Sequence, residues 1–191
     1  MRYDVNFINP FLSAVLNVLA TMAQVVALPG KPYINTKGLA VGDVTGLIGV
    51  TGYTTGTISV TLSKGAILAI VNNMLMESYT DINADIADAV GELTNMIAGQ
   101  ARAKLSEQGM SFSASTPSVV VGMGHKIQHV AKAPILAIPF TTDHGNLVIE
   151  VCFADPEPDG AKPAAPAADA AAAPASESAP EQAAEQSPKD A

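Results

Sequence analysis

Every aromatic residue and every Leu, Ile, Val and Met of this chain lies at or before Phe153. From Ala154 to Ala191 the sequence is Ala, Pro, Glu, Asp, Ser and Gln with a little Lys and Gly. Such a segment cannot bury enough apolar surface to offset the entropy of ordering it, so 154–191 is expected to be a disordered acidic Ala/Pro-rich tail. The folded unit is then 1–153, one domain long enough to enclose a sizeable core.

Charge divides at the same boundary. The tail carries eight acids against two lysines, a net of -6 out of the chain's formal -8. The remainder holds ten acids against eight bases and is nearly neutral. Nucleic-acid binding would need Lys and Arg clustered on the folded part, and no such cluster is present in the sequence. The acidic tail also disfavours anionic membrane surfaces. The single cysteine, Cys152, falls inside an apparent strand, so an intrachain disulfide is impossible and a packed strand residue is expected.

Phe7 to Val26 is apolar enough to raise a signal peptide or membrane span. Asn9, Pro10, Asn17 and Gln24 interrupt it, Arg2 is its sole basic flank, and a small-residue cleavage site is lacking. Phe11, Val15, Val18, Met22 and Val25 follow helical spacing, which favours a helix packed in a core and a cytoplasmic protein. The expected helix runs from Pro10 to Ala27, with Asn9 as its cap, and is stopped by Pro29-Gly30. Residues 39–50 read as a strand with a bend, and 53–62 alternate apolar and polar residues as a second strand of a hairpin. Lys64 to Met76 favours a short helix, and Asn83 to Gln108 a long one ending at Gly109. Ser118 to Gly122, His125 to Val130, Ile135 to Phe140 and Leu147 to Phe153 read as strands, the last two joined by the turn Asp143-His144-Gly145-Asn146. This order predicts an α+β domain, a mostly antiparallel sheet packed against two long helices.

The long helix carries the functional signal. At about 100° per residue, Ile86, Val90, Leu93, Ile97 and Ala101 form a core stripe, with Asp88, Glu92, Asn95, Gly99 and Arg102 nearly opposite. Glu92 and Asn95 are three apart and project from the same turn. Gly91 and Gly99 flank them, each costing the helix roughly 1 kcal/mol relative to alanine. That cost is tolerable where another protein must approach the backbone. Spacing alone favours an ordinary solvated pair, since Glu-x-x-Asn is too common to be a motif by itself.

Other arrangements carry less. His125 and His129 stand four apart in an extended segment, where that spacing does not converge on a metal, and no clustered acid supports them. Gly122-x-Gly124 follows a strand without a helix start to cradle phosphate. Ser, His and Asp occur without a nucleophile-elbow context. The chain therefore lacks a self-contained active site, and neither a metal nor a cofactor of its own is expected.

Gly91-Glu92-Leu93-Thr94-Asn95-Met96 followed by Ala98-Gly99 resembles the CheC/CheX/FliY family of response-regulator phosphatases. So do Phe7-Ile8-Asn9-Pro10-Phe11 at the first helix and Thr116-Pro117-Ser118-Val119-Val120 leading to Gly122. The similarity spans residues 5 to 153 and includes the order of elements. It implies a CheC-like fold and removal of the aspartyl phosphate from a CheY-like receiver domain. On that resemblance Glu92 and Asn95 are the catalytic residues: Asn95 would orient the attacking water, and Glu92 would pair with the receiver's lysine. The Mg²⁺ would be supplied by the receiver. One such helix rather than two favours the CheX branch, whose members are homodimers joined through their sheets. The acidic tail is foreign to the family pattern. A non-catalytic module that docks on a receiver or flagellar switch component is the alternative.

Overall fold

The structure, a computed structural model, describes residues 3–156. The expected disordered tail falls almost entirely outside the described residues. Strands β1 (Leu28–Pro29), β2 (Tyr33–Asn35), β3 (Val44–Gly52), β4 (Gly56–Leu62), β5 (Phe112–Ala114), β6 (Ser118–Val121), β7 (Ile135–Thr142) and β8 (Gly145–Phe153) form one sheet. Its order is β1-β7-β8-β4-β3-β5, with β2 sharing the β1 edge and β6 sharing the β5 edge. Every pairing is antiparallel. Helices α1 (Val5–Val18), α2 (Lys64–Leu75) and α3 (Ala84–Glu107) pack on this framework. The α+β reading holds.

One face of the sheet makes the core. Val44, Ile48 and Val50 of β3 lie beside Ile58, Val60 and Leu62 of β4 and Leu147, Ile149, Val151 and Phe153 of β8, all buried. Alternate residues share a face, so the register of these strands turns one apolar row after another toward the helices. Phe7 and Phe11 of α1 close the end of the core on Phe153, with ring centroids 5.2 and 6.4 Å from it.

The first helix differs from expectation. It begins at Val5, capped by Asp4, whose side chain accepts from the Phe7 N–H at 3.0 Å, so Asn9 is not the cap and Pro10 lies inside the helix. The proline removes one backbone donor, while the Asp4 cap satisfies another at the helix start. The helix continues as a π-helical turn, Leu19–Ala23, and ends at Gln24 in the left-handed region, φ 52°. Such a turn holds more residues than an α-turn and shifts the stripe, which is why Met22 is exposed while Val18 and Val25 are buried. By length and hydropathy Val5–Ala23 could cross a membrane. In this fold Phe7, Phe11, Ala14, Val15, Val18 and Leu19 are spent on the core.

The opposite sheet face is polar. Thr45, Thr57, Ser59, Thr61 and Glu150 point from it and are buried, as is Cys152. Part of their cover is residues 122–134, where His125 to Val130 is not the expected strand. Gly122 and Gly124 have φ of 133° and 69°, which turns the chain out of the extended run, and a single bridge, Leu39 to Lys126, remains. The histidines bond to the sheet separately: His125 Nε2 to Thr45 Oγ1 and His129 Nδ1 to Thr57 Oγ1, each at 2.7 Å. Cys152 Sγ donates toward the carbonyls of Ala131 and Ala133, and burial pushes its thiol pKa up.

Candidate functional site

The helix α3 is defined at both ends by local chemistry. The Asn83 side chain accepts from the Ile86 N–H at 3.0 Å, and Asp85 adds a carboxylate to the first turn, where the helix dipole favours it. At the other end Gly109 has φ 84°, its N–H bonds the Ser106 carbonyl, and the Met110 N–H bonds the Leu105 carbonyl. That pair of bonds with a left-handed glycine is a Schellman stop. The expected core stripe of Ile86, Val90, Leu93, Ile97 and Ala101 is buried throughout.

On the opposite face Asp88, Glu92 and Asn95 are exposed. Glu92 and Asn95 lie one turn apart, and among the described residues neither side chain has a hydrogen-bond or ion-pair partner. The structure thus brings the two candidate residues together and leaves both available. Arg102 behaves differently from its neighbours on the wheel: it is half-buried, and its Nη1 donates to the Phe112 carbonyl at 3.1 Å, tying α3 to β5.

The flanking glycines answer to nothing inside the chain. A Cβ on Gly99 would meet no atom within 4 Å, and one on Gly91 would touch Val119 Cγ2 at an ordinary 3.6 Å. Intramolecular packing would therefore accept alanine at both, and the two glycines weaken an exposed helix face without serving this fold.

The pair also stands clear of a surface hollow at the far end of α3. That hollow, about 870 Å³, is lined by Asp4, Asn6, Phe7, Tyr53, Gln108, Met110 and Pro156. From Asn95 to Gln108 is thirteen residues of helix, roughly 20 Å at 1.5 Å per residue. A carboxylate and a carboxamide on a convex helix can reach into a pocket of another molecule; they cannot enclose a small substrate. His125, His129, Gly122 and Gly124, weighed in the sequence as metal or phosphate candidates, sit on or beside the opposite face of the sheet. Among the described residues no group of three or more His, Cys, Asp or Glu side chains is placed to hold a metal.

Two residues that bear on this site escaped the sequence reading. Thr94 is fully buried between Glu92 and Asn95, with its hydroxyl donating to the Val90 carbonyl at 2.7 Å. Beneath it lies Gly46 of β3, within the stretch 39–50 that reads as a strand with a bend; the bend falls at Gly42 and Asp43, and Gly46 marks a close approach of α3.

Comparison with known proteins gives a consistent result. The family model described as chemotaxis phosphatase CheX matches residues 44–141. The "CheY-P phosphatase CheX" of Thermotoga maritima is 28% identical over 137 residues, covering 69% of this chain and 88% of that protein. The crystal structure of a chemotaxis protein CheX from Desulfovibrio desulfuricans is 50% identical, covers 78% of this chain and 99% of its own, and superposes with a TM-score of 0.73. A CheX–CheY–BeF3–Mg²⁺ complex from Borrelia burgdorferi is 25% identical, covers 81% of this chain and 100% of its own, and gives a TM-score of 0.67. With the fold, the order of elements and the matched span in agreement, the chain belongs to the CheX family of chemotaxis phosphatases.

Proposed function

We propose that this protein is a CheY-P phosphatase that hydrolyses the aspartyl phosphate of a CheY-like receiver domain in chemotaxis signalling. The observation that carries the reading is the pair Glu92 and Asn95, exposed one turn apart on a convex helix with no partner of their own. In the family to which the chain belongs, a relative is named a CheY-P phosphatase and another forms a complex with CheY, BeF3 and Mg²⁺.

The reaction requires little covalent help. Water attacks phosphorus in line, the bond from phosphorus to the aspartyl oxygen breaks, and the carboxylate and inorganic phosphate leave. Positioning and charge stabilisation supply most of the catalysis. The receiver holds the Mg²⁺ and a lysine beside the phosphoryl group, so the phosphatase contributes what is missing. The Asn95 carboxamide both donates and accepts hydrogen bonds, and it orients the water without bringing negative charge toward phosphate. Glu92 pairs with the receiver's lysine and holds the two surfaces in register. Gly91 and Gly99 let the receiver backbone approach α3. By the same family argument the protein works in the cytoplasm as a homodimer joined through its sheets, with 1–153 as the phosphatase domain and 154–191 as an appended tail.

The deciding experiment follows the decay of a phosphorylated, Mg²⁺-bound CheY-like receiver from the same genome. The chain accelerates the decay, and Asn95→Ala and Glu92→Ala both lose the acceleration. Binding that persists in Asn95→Ala with unchanged dephosphorylation would make the chain a docking module instead.

A further inference from the structure

Helix α3 comes close to the sheet at Gly46. Gly46 is in register with Val60 of β4 and Val119 of β6, and Thr94 sits directly over it. A Cβ on Gly46 would overlap the Thr94 hydroxyl oxygen, stand 2.9 Å from Thr94 Cβ and 3.2 Å from the Val90 carbonyl oxygen. Moving the Thr94 hydroxyl aside relieves this only in part, because Thr94 Cβ and the Val90 carbonyl are held by the helix backbone. The threonine is also well satisfied where it is, fully buried and bonded to Val90. At this point the strand backbone itself is the floor on which the helix rests.

The same stretch of α3 is flanked by the edge strand β6. Val119 lies beside Gly91, and Val121, on the same side of β6, is 53% exposed. A receiver is wider than one helix, so a receiver seated over Glu92 and Asn95 also meets this edge. The height of Asn95 relative to β6 then matters to the chemistry.

We infer that the Gly46–Thr94 contact is a positioning device for Asn95: it seats α3 on the bare backbone of β3, so that the exposed face of α3 and the edge of β6 present one level surface to the receiver. The inference rests on the phosphatase reading above. Thr94 and Gly46 touch no substrate; they act through the residue that follows Thr94. Two carbons in ordinary contact stand about 3.5–4 Å apart, so a methyl on Gly46 lifts this part of α3 by on the order of 1 Å. A displacement of that size can reduce the rate of a positioned reaction about 10²-fold. Docking contacts spread over a surface adjust to it with less loss.

The test is receiver dephosphorylation by Gly46→Ala, Thr94→Ala and the double variant, with melting curves to establish folding and crystal structures of the parent chain and Gly46→Ala. In Gly46→Ala, kcat falls about 10- to 100-fold while KM changes no more than about threefold. The double variant regains part of the loss, because the overlapping hydroxyl is gone. The crystal structure shows α3 raised around Thr94 relative to β6. A folded Gly46→Ala with parental kcat, or a loss that Thr94→Ala does not reduce, overturns the inference. An α3 that stays in place while β3 yields overturns it as well, whatever the kinetics. If the parent chain accelerates no receiver, the phosphatase reading falls, and the α3 displacement alone then decides whether the seat exists.

Discussion

Two groups of polar side chains in this protein look equally suited to chemistry, and their surroundings separate them. On the outer face of the sheet, His125 and His129 of the covering segment 122–134 reach down to the threonines of β3 and β4 and toward Glu150 of β8. His125 and His129 each bond a threonine, and the Asn35 amide donates to Glu150 Oε1. His129 Nε2 lies 3.8 Å from Glu150 Oε2, both side chains being only 3% exposed. On α3, Glu92 and Asn95 have no partner and face outward. The bonds to Thr45 and Thr57 tie the segment to the sheet, while Ser59 Oγ, His129 Nε2 and Glu150 Oε2 stay buried without a hydrogen-bond partner, so the cluster is committed to the fold at some cost in stability. Exposed groups without partners carry no such duty and are free to meet another molecule. Chemical type alone would have ranked the histidines first; environment reverses the order.

The sharpest way to break this comparison is to exchange the consequences. Asn95→Ala should reduce receiver dephosphorylation by about 10²-fold or more, as expected for loss of a positioned hydrogen-bonding group. Its thermal midpoint should stay near that of the parent, since surface substitutions usually change stability by less than about 0.5 kcal/mol. A fall in the midpoint instead would mean that Asn95 is part of the fold. Glu150→Ala should do the reverse. It removes the charged acceptor of the half-buried Asn35 amide, which keeps only the Leu39 carbonyl, at about 2 kcal/mol, read as a lower midpoint in a denaturant melt. The folded fraction should retain its activity, and a kinetic loss beyond unfolding would place the cluster in the reaction.

A smaller effect separates the two kinds of polar residue at helix ends. Asp4 is exposed like Glu92, yet it caps α1, so Asp4→Ala should cost about 1 kcal/mol and lower the melting temperature by about 2–4 °C without changing dephosphorylation. The smallest effect belongs to Asp81, whose carboxylate meets Lys64 Nζ at 2.8 Å on the surface. The hydrogen bond from Lys64, first, and that from the Ile82 N–H hold its pKa below the usual carboxylate value. A depressed pKa contributes stability that is present above the unfolded-state value and is lost as pH falls through the folded one. Acid titration of the melting temperature should therefore show Asp81→Asn slightly below the parent at neutral pH, with a slightly shallower acid limb that converges on the parent at low pH.

Much of the architecture was legible before any coordinates. The long helix, its Gly109 stop and its buried stripe follow from periodicity and end signals that act over a few residues. The strands β4, β7 and β8 were readable for the same reason. The first helix was placed too late because Asn9-Pro10 is a strong start signal, and the competing cap at Asp4 gains its advantage from the burial of Phe7 against Phe153. Strands β1, β2 and β5 are two or three residues long, too short to show a period, and exist because a neighbouring edge is there to pair with them. The segment 125–130 looked like a strand because its composition suits one, but its histidines found partners in the sheet surface instead.

For the site, adjacency on one helix turn is a property of sequence spacing, and so Glu92 and Asn95 could be named from the residues and the family motif they complete. What spacing cannot state is whether a polar side chain already has a partner, because partners come from distant parts of the chain. Spacing already counted against His125 and His129 as a metal pair, but that Thr45 and Thr57 hold them is seen only in the fold. Gly46 needed Thr94, forty-eight residues later, before its close approach to a helix could be seen. Local periodicity and capping are decided within a few residues and are therefore written in the sequence. The satisfaction of buried polar groups and the closest approach of two backbones are long-range facts, and only the folded chain decides them.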